Sequence, residues 1–135
     1  TIDAEGELRV LDTYLKSIDS FFIGAFDSDR LIGTLDGGPA KTYRRYRHRM
    51  EIGMAVQKDY WDNGIGSKLV ENALYFAKRL GYEQVNLSVF ADNERAVHVY
   101  EKLGFKVDGR VIDGFKDLDG TYHDELHMSK EIVWG

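Results

Sequence analysis

Apolar and polar positions follow two rhythms along this chain, and the changes of rhythm mark its elements. Near the start, Leu8, Leu11, Leu15 and Ile18 recur at helical spacing and predict an amphipathic helix of about three turns. From Phe21 the texture shortens. Phe21 to Phe26 is an apolar run, Asp27-Ser28-Asp29-Arg30 supplies turn chemistry, and Leu31 to Leu35 resumes, which predicts a β-hairpin with a four-residue loop. Gly37-Gly38-Pro39 breaks the pattern, and Met50 to Val56 reads as a further strand. The clearest helix follows, with Ile65, Leu69, Ala73, Phe76, Ala77 and Leu80 on one side, Val70 and Leu74 widening the stripe, and Gly81 where a C′ residue is expected. Gln84 to Phe90 alternates polar and apolar as a strand. Asp92-Asn93 caps a second helix with Ala96, Val97, Tyr100 and Leu103 on its apolar side, ended by Gly104. Phe105 to Ile112 predicts a strand bent at Gly109, Asp117 to Gly120 a turn, and Tyr122, Leu126 and Met128 a closing strand. Helix, three strands, helix, strand, helix and two strands make a mixed α/β sheet in one domain over residues 1–135.

The segment with the most chemistry is Asp62-Asn63-Gly64-Ile65-Gly66-Ser67, between a strand and a long helix. A helix N-terminus presents unpaired N–H groups and about half a positive charge, which favours a phosphate. Two glycines spaced i, i+2 let the backbone approach an anion, and Ser67 adds a hydroxyl donor. The loop is neither a Walker loop, since Lys68 follows Ser67, nor a dinucleotide fingerprint, since Leu69 stands where the third glycine belongs. Asn93 and Tyr100 lie seven residues apart, two turns and about 10 Å along one helix face. They suit either an N-cap and a core tyrosine, or a polar pair facing an extended ligand.

Composition removes several classes. With 43% apolar residues, 30% charged, and no run long enough to span a bilayer, the 135 residues suit a globular domain rather than a disordered or membrane-spanning chain. No cysteine is present, which rules out disulfides, thiolate metal sites and a cysteine nucleophile. A formal charge of −5 disfavours generic nucleic-acid binding and suits a cationic small molecule or basic peptide. That charge is uneven. Lys41, Arg44, Arg45, Arg47 and Arg49, with Tyr43 and Tyr46, form a basic stretch that reads as a solvated hairpin or as a patch for RNA or a smaller anion. No metal site is expected. His123 and His127 have the i, i+4 spacing of a zinc-protease helix, but Asp124 stands where glutamate must directly follow the first histidine, and four residues along a strand separate the two by about 13 Å.

Val56 followed by Gln57-Lys58-Asp59-Tyr60-Trp61-Asp62-Asn63-Gly64-Ile65-Gly66-Ser67-Lys68-Leu69 resembles the acetyl-CoA-binding motif of the GNAT acetyltransferases. Asp92-Asn93-Glu94-Arg95-Ala96-Val97-His98-Val99-Tyr100-Glu101-Lys102-Leu103-Gly104-Phe105 resembles the segment that follows it in that superfamily. The likeness runs from about Glu51 to Phe105 with the element order intact. A weaker likeness, over Gly120 to Met128, is to the branch acting on polyamines and ribosomal-protein N-termini. The family usually has Arg or Gln where this chain has Trp61, a change expected to alter loop packing more than binding. The family also normally carries a strand and helix before the segment read as the first helix.

The resemblance implies a single-domain α/β (α+β) fold of the GNAT kind: a mixed, mostly antiparallel sheet, helices on both faces and a splay between the central strands. It implies an acetyl-CoA-dependent N-acetyltransferase acting on a primary amine (a polyamine, a small amine or a protein N-terminus) by direct attack on the thioester. The alternative is a non-catalytic acyl-CoA-binding or sensing module. An amine of pKa about 10.4 costs ~4–5 kcal/mol to deprotonate at pH 7, so a base is needed. Glu51 is the candidate base and Tyr100 the acid that protonates the leaving thiolate. Backbone N–H groups over Met54, Ala55 and Val56 would stabilise the oxyanion. Trp61, Asp62, Asn63, Gly64, Ile65, Gly66, Ser67, Asn93 and Tyr100 complete the expected cofactor site. A cytoplasmic location is expected, with no membrane partner, and Val133 with Trp134 suits either a homodimer contact or a covered edge.

Overall fold

The computed structural model describes residues 8–17, 19–40 and 48–132. In chain order they form β1 (Leu8–Ser17), β2 (Ser20–Asp27), β3 (Arg30–Pro39), β4 (Arg49–Val56), a single 3-10 turn (Lys58–Tyr60), α1 (Ile65–Arg79), β5 (Gln84–Phe90), α2 (Glu94–Lys102), β6 (Lys106–Lys116) and β7 (Tyr122–Glu131). The strands make one sheet ordered β1-β2-β3-β4-β5-β7-β6. Every neighbouring pair is antiparallel except β4 and β5, which the α1 crossover joins in parallel.

The segment expected to be the first helix is a strand. Leu8 to Ser17 pairs antiparallel with β2, from Leu8 opposite Asp27 to Ser17 opposite Ser20. An isolated helix of this length is marginal in water, whereas pairing covers the otherwise open edge of an apolar strand, and Val10, Thr13 and Tyr14 favour a pleated backbone. Leu15, expected on a buried helical stripe, is 65% exposed, and Ile18 lies outside the described residues. The β2–β3 hairpin forms as expected but turns more tightly: Asp27 pairs with Arg30, which leaves Ser28 and Asp29 as a two-residue loop. The bend in β6 falls at a register shift between Val107 and Gly109. The basic stretch 41–47 and the terminal Val133 and Trp134 lie outside the described residues.

One face of the sheet carries the core. Phe21, Ile23, Leu35, Met50, Val85 and Met128 are fully buried there, and α1 lays Ile65, Leu69, Val70, Ala73 and Ala77 across them. Each such large side chain contributes about 1.5–3 kcal/mol by leaving water. The Phe21 ring packs over Gly37, where a Cβ would stand 2.9 Å from Phe21 Cζ.

Both described helices lie on this same face. Met50 pairs with Val85 and Val85 with Lys130, so these three point one way. A Cβ on Gly104, just past α2, would stand 2.6 Å from Lys130 Nζ, and α1 and α2 approach one another. The physical reason is the apolar face itself, which needs both amphipathic helices to cover it. The opposite face is left with Glu51, Asn86, Ser88 and His127. No helix among the described residues is long and apolar enough to cross a membrane.

Candidate active site

The parallel pair at the centre of the sheet comes apart. β4 and β5 pair only at Arg49–Gln84, Met50–Val85 and Glu51–Asn86; from Ile52 and Leu87 onward the strands diverge. Along the same stretch β4 keeps its pairing with β3, through Val56 opposite Gly33. Gln57 N–H donates to Ile32 C=O at 2.9 Å, which makes Val56–Gly33 a pair that exchanges no hydrogen bonds with each other. Strand alternation then turns the N–H groups of Val56 and Met54 into the gap, and that of Ala55 toward β3. The gap therefore offers two backbone donors, at Met54 and Val56, where three were expected.

The glycine loop sits at the open end of the gap. Gly64 is the N-cap of α1 with φ +81°, a conformation an L side chain rarely adopts, and the space around its missing Cβ is empty. The first intrahelical bond is Lys68 N–H to Gly64 C=O at 3.0 Å, so the N–H groups of Ile65, Gly66 and Ser67 have no partner within the helix. No acidic residue stands in this first turn. Ile65 turns its side chain into the core, leaving only its backbone to the loop, while Gly66 faces Met54 Cε across 3.3 Å from a would-be Cβ.

Trp61 and Asp62 hold this loop in shape. The Trp61 indole N–H donates to Val56 C=O at 2.9 Å, tying the loop to the lip of the gap. Arg95, from the first turn of α2, lies over the Trp61 ring at 5.1 Å and pairs with Asp62. An exposed pair of this kind adds little stability by itself, but here it links the loop before α1 to the start of α2. Tyr60 donates its hydroxyl to Asp27, anchoring the preceding turn to β2. Arg95 escaped the sequence reading because a lone charge two places beyond an N-cap carries no periodic signal.

Asn93 and Tyr100 divide as the helix geometry dictates. The Asn93 Oδ1 accepts from Ala96 N–H at 3.3 Å and so caps α2. Tyr100, two turns on, is 8% exposed, packs against Phe105 with ring centroids 5.9 Å apart, and belongs to the core cluster that also holds Leu87. Burial pushes its phenol above the ordinary value of 10.0, so the hydroxyl keeps its proton at neutral pH.

Glu51 is the last β4 residue paired with β5 and stands on the face away from the helices. The side chain is exposed at the residue level, yet it lines a cavity with Arg49, Asn86, Ser88, Asp108 and His127. Partial desolvation there raises its carboxyl above the ordinary 4.5; His127 pulls it down, Glu125 pushes it up and Arg49 pulls it down, each by less. The polar residues of β5 that share this cavity were visible only as the solvent side of an alternating strand. β4 thus turns the Met54 and Val56 N–H groups into the gap beside the α1 N-terminus, Glu51 lines a cavity on the face away from the helices, and Tyr100 packs within the core on the helix side.

A family model described as "Acetyltransferase (GNAT) family" matches residues 3–105. Among curated proteins the chain is 31% identical over 99 residues to the uncharacterised N-acetyltransferase YoaA of Bacillus subtilis, covering 73% of this chain and 54% of that protein. It is 35% identical over 89 residues to N-alpha-acetyltransferase 30 of Schizosaccharomyces pombe, covering 63% and 57%. With spermidine N(1)-acetyltransferase of Escherichia coli it shares 30% over 81 residues, covering 59% and 43%. The chain spans about half the length of these relatives. Among solved structures, an acetyltransferase of the GNAT family from Streptococcus pneumoniae superposes with a TM-score of 0.80 at 30% identity, covering 87% of this chain and 70% of that one. A GNAT superfamily phosphinothricin acetyltransferase from Sinorhizobium meliloti, solved with acetyl-CoA, shares the fold with a TM-score of 0.79 at 19% identity, covering 86% and 63%.

Proposed function

The chain belongs to the acetyltransferase (GNAT) family, and from that premise we propose that it moves an acetyl group from acetyl-CoA to a primary amine. The observation that carries this reading is the break between β4 and β5, with Met54 and Val56 N–H groups turned into it and the α1 N-terminus at its end. Acetyl-CoA supplies an activated thioester carbonyl. The N–H groups of Gly64, Ile65, Gly66 and Ser67 hold the pyrophosphate, on a loop shaped by Trp61, Asp62 and Asn63. The Asn93 amide nitrogen, left free by the cap at Oδ1, donates to the pantetheine arm. Met54 and Val56 donate to the thioester oxygen as it gains negative charge.

The amine nitrogen attacks the carbonyl carbon, the C–N bond forms and the C–S bond breaks, and no covalent enzyme intermediate is required. Glu51, directly or through water, takes the proton the amine gives up, and Tyr100 delivers one to the departing thiolate. The raised carboxyl of Glu51 is better matched to that task than an ordinary surface glutamate. Protein N-termini and polyamines are both within reach of the proposal, since relatives carry names for each. We place the reaction in the cytoplasm. The test is release of free thiol from acetyl-CoA against a panel of primary amines. Amine-dependent release is expected. Thermal protection by coenzyme A without any release would instead mark a non-catalytic acyl-CoA-binding module.

A further inference from the structure

The cavity beside Glu51 occupies about 350 Å³, the small end of ligand sites, on the sheet face turned away from both helices. Its lining mixes signs. Glu51 and Asp108 are acidic, Arg49 is a permanent cation, and His127 lies 3.4 Å from Glu125. Two atoms of this lining are buried without a hydrogen-bond partner: Arg49 Nε, which can only donate, and Asn86 Oδ1, which can only accept. A polar group left in that state is costly, and native proteins keep few of them. Arg49 stands opposite Gln84 and Glu51 opposite Asn86, so Arg49, Glu51 and Asn86 project from adjoining positions of one face. Both Arg49 and Asn86 are half-buried residues of the cavity lining, and engaging a ligand requires a side-chain rotation that turns each orphaned atom toward the cavity.

Resting on the acetyltransferase reading above, we infer that the acceptor is the N-terminus of a polypeptide rather than a polyamine. A peptide N-terminus carries one amine, then a carbonyl oxygen and an N–H within its first two residues. The amine meets Glu51, the carbonyl accepts from Arg49 Nε, and the N–H donates to Asn86 Oδ1, which satisfies both orphaned atoms. A polyamine has only donors and a second ammonium. Glu51 and Asp108 can each meet an ammonium, but a polyamine offers no acceptor, so Arg49 Nε would stay unpaired beside it.

The test uses the whole chain saturated with acetyl-CoA and follows thiol release with three acceptors: tetra-alanine, tetra-alanine methylated on its first peptide nitrogen, and spermidine. The expected kcat/KM for tetra-alanine is at least tenfold above spermidine, and methylation, which removes the N–H, erases most of that advantage. Arg49→Met and Asn86→Leu each raise the KM for tetra-alanine at least fivefold. They remove unpartnered buried atoms, so their melting temperatures stay at or above that of the parent, which separates lost recognition from lost folding. A kcat/KM for spermidine equal to or above that for tetra-alanine overturns the inference and leaves the acetyltransferase reading standing, as does a tetra-alanine KM that neither substitution nor methylation moves. If no acceptor releases thiol, the acetyltransferase reading fails, and binding decides the inference. Tetra-alanine must then raise the melting temperature of the coenzyme A-loaded protein, and less so for Asn86→Leu; an absent shift overturns it.

Discussion

Tyr100 and Glu51 are both displaced from their ordinary ionisation, and each displacement predicts a measurement. Burial holds the Tyr100 proton in place, so Tyr100→Phe should lower kcat by about 10²–10³-fold while leaving coenzyme A affinity within about twofold, as read by thiol release and calorimetry. An unchanged kcat would remove it as the acid. For Glu51 the sign runs the other way. A base works once deprotonated, so kcat/KM should rise with pH through its raised pKa, and Glu51→Gln should abolish that acidic limb. The same shift has a consequence for folding. A carboxyl that binds its proton more tightly in the folded than in the unfolded state penalises folding increasingly as pH rises above the unfolded pKa, and fully above the folded one. Glu51→Gln should therefore melt higher than the parent at pH 7–8, with the gap closing toward pH 4. Both residues were candidates from the sequence, Tyr100 through the second motif and Glu51 through its place on the strand before the first. Their environments were not legible there: burial of Tyr100 depends on the packing of α2 against the sheet, and His127 beside Glu51 comes from a strand remote in the chain.

At the scale of the element, α2 shows one side chain bearing two duties. Asn93 Oδ1 caps the helix, and the proposal assigns its amide nitrogen to the coenzyme. Asn93→Asp keeps an acceptor for Ala96 N–H, removes the amide donor and adds a negative charge close to the proposed coenzyme site. The variant should retain its melting temperature and lose about three- to tenfold in coenzyme A affinity; an unchanged affinity would confine Asn93 to capping. The β6–β7 hairpin has its own pH dependence. His123 lies between Asp92 at 2.9 Å and Asp117 at 3.4 Å and stacks on Phe90, and the hydrogen bond it donates to Asp92 is the main cause that raises its pKa above 6.5. Such a group stabilises the fold fully below its unfolded pKa and loses that contribution as pH rises through the folded one. Amide exchange in the 113–122 turn, corrected for intrinsic rates, should therefore show weaker protection at pH 8.5 than at pH 6. The elements that local chemistry specifies were readable in advance: α1 with Gly81 at C′, α2 between Asn93 and Gly104, and the turn at Gly120. The first strand was not, since Leu8, Leu11 and Leu15 fit either period and only pairing with β2 decides between them.

For the whole molecule, a ligand that binds only the folded chain adds stability by mass action. Coenzyme A at a hundred times its dissociation constant should contribute about 2.7 kcal/mol, on the order of 8–12 °C in melting temperature for a chain of this size. A folded sample that shows no shift at millimolar coenzyme A would sink the proposed site altogether. The sequence alone determined what nearest neighbours decide: the glycine loop, the two amphipathic helices with their caps, and the likeness to a family that rests on those local motifs. Tertiary structure decided that β1 is a strand, that both helices share one face, and that the break between β4 and β5 turns Met54 and Val56 N–H groups, not that of Ala55, into the gap. It also placed Arg49 and Asn86 together in one cavity wall. These depend on register between strands tens of residues apart, and a one-residue slip reverses every side chain and every N–H, which no local pattern encodes.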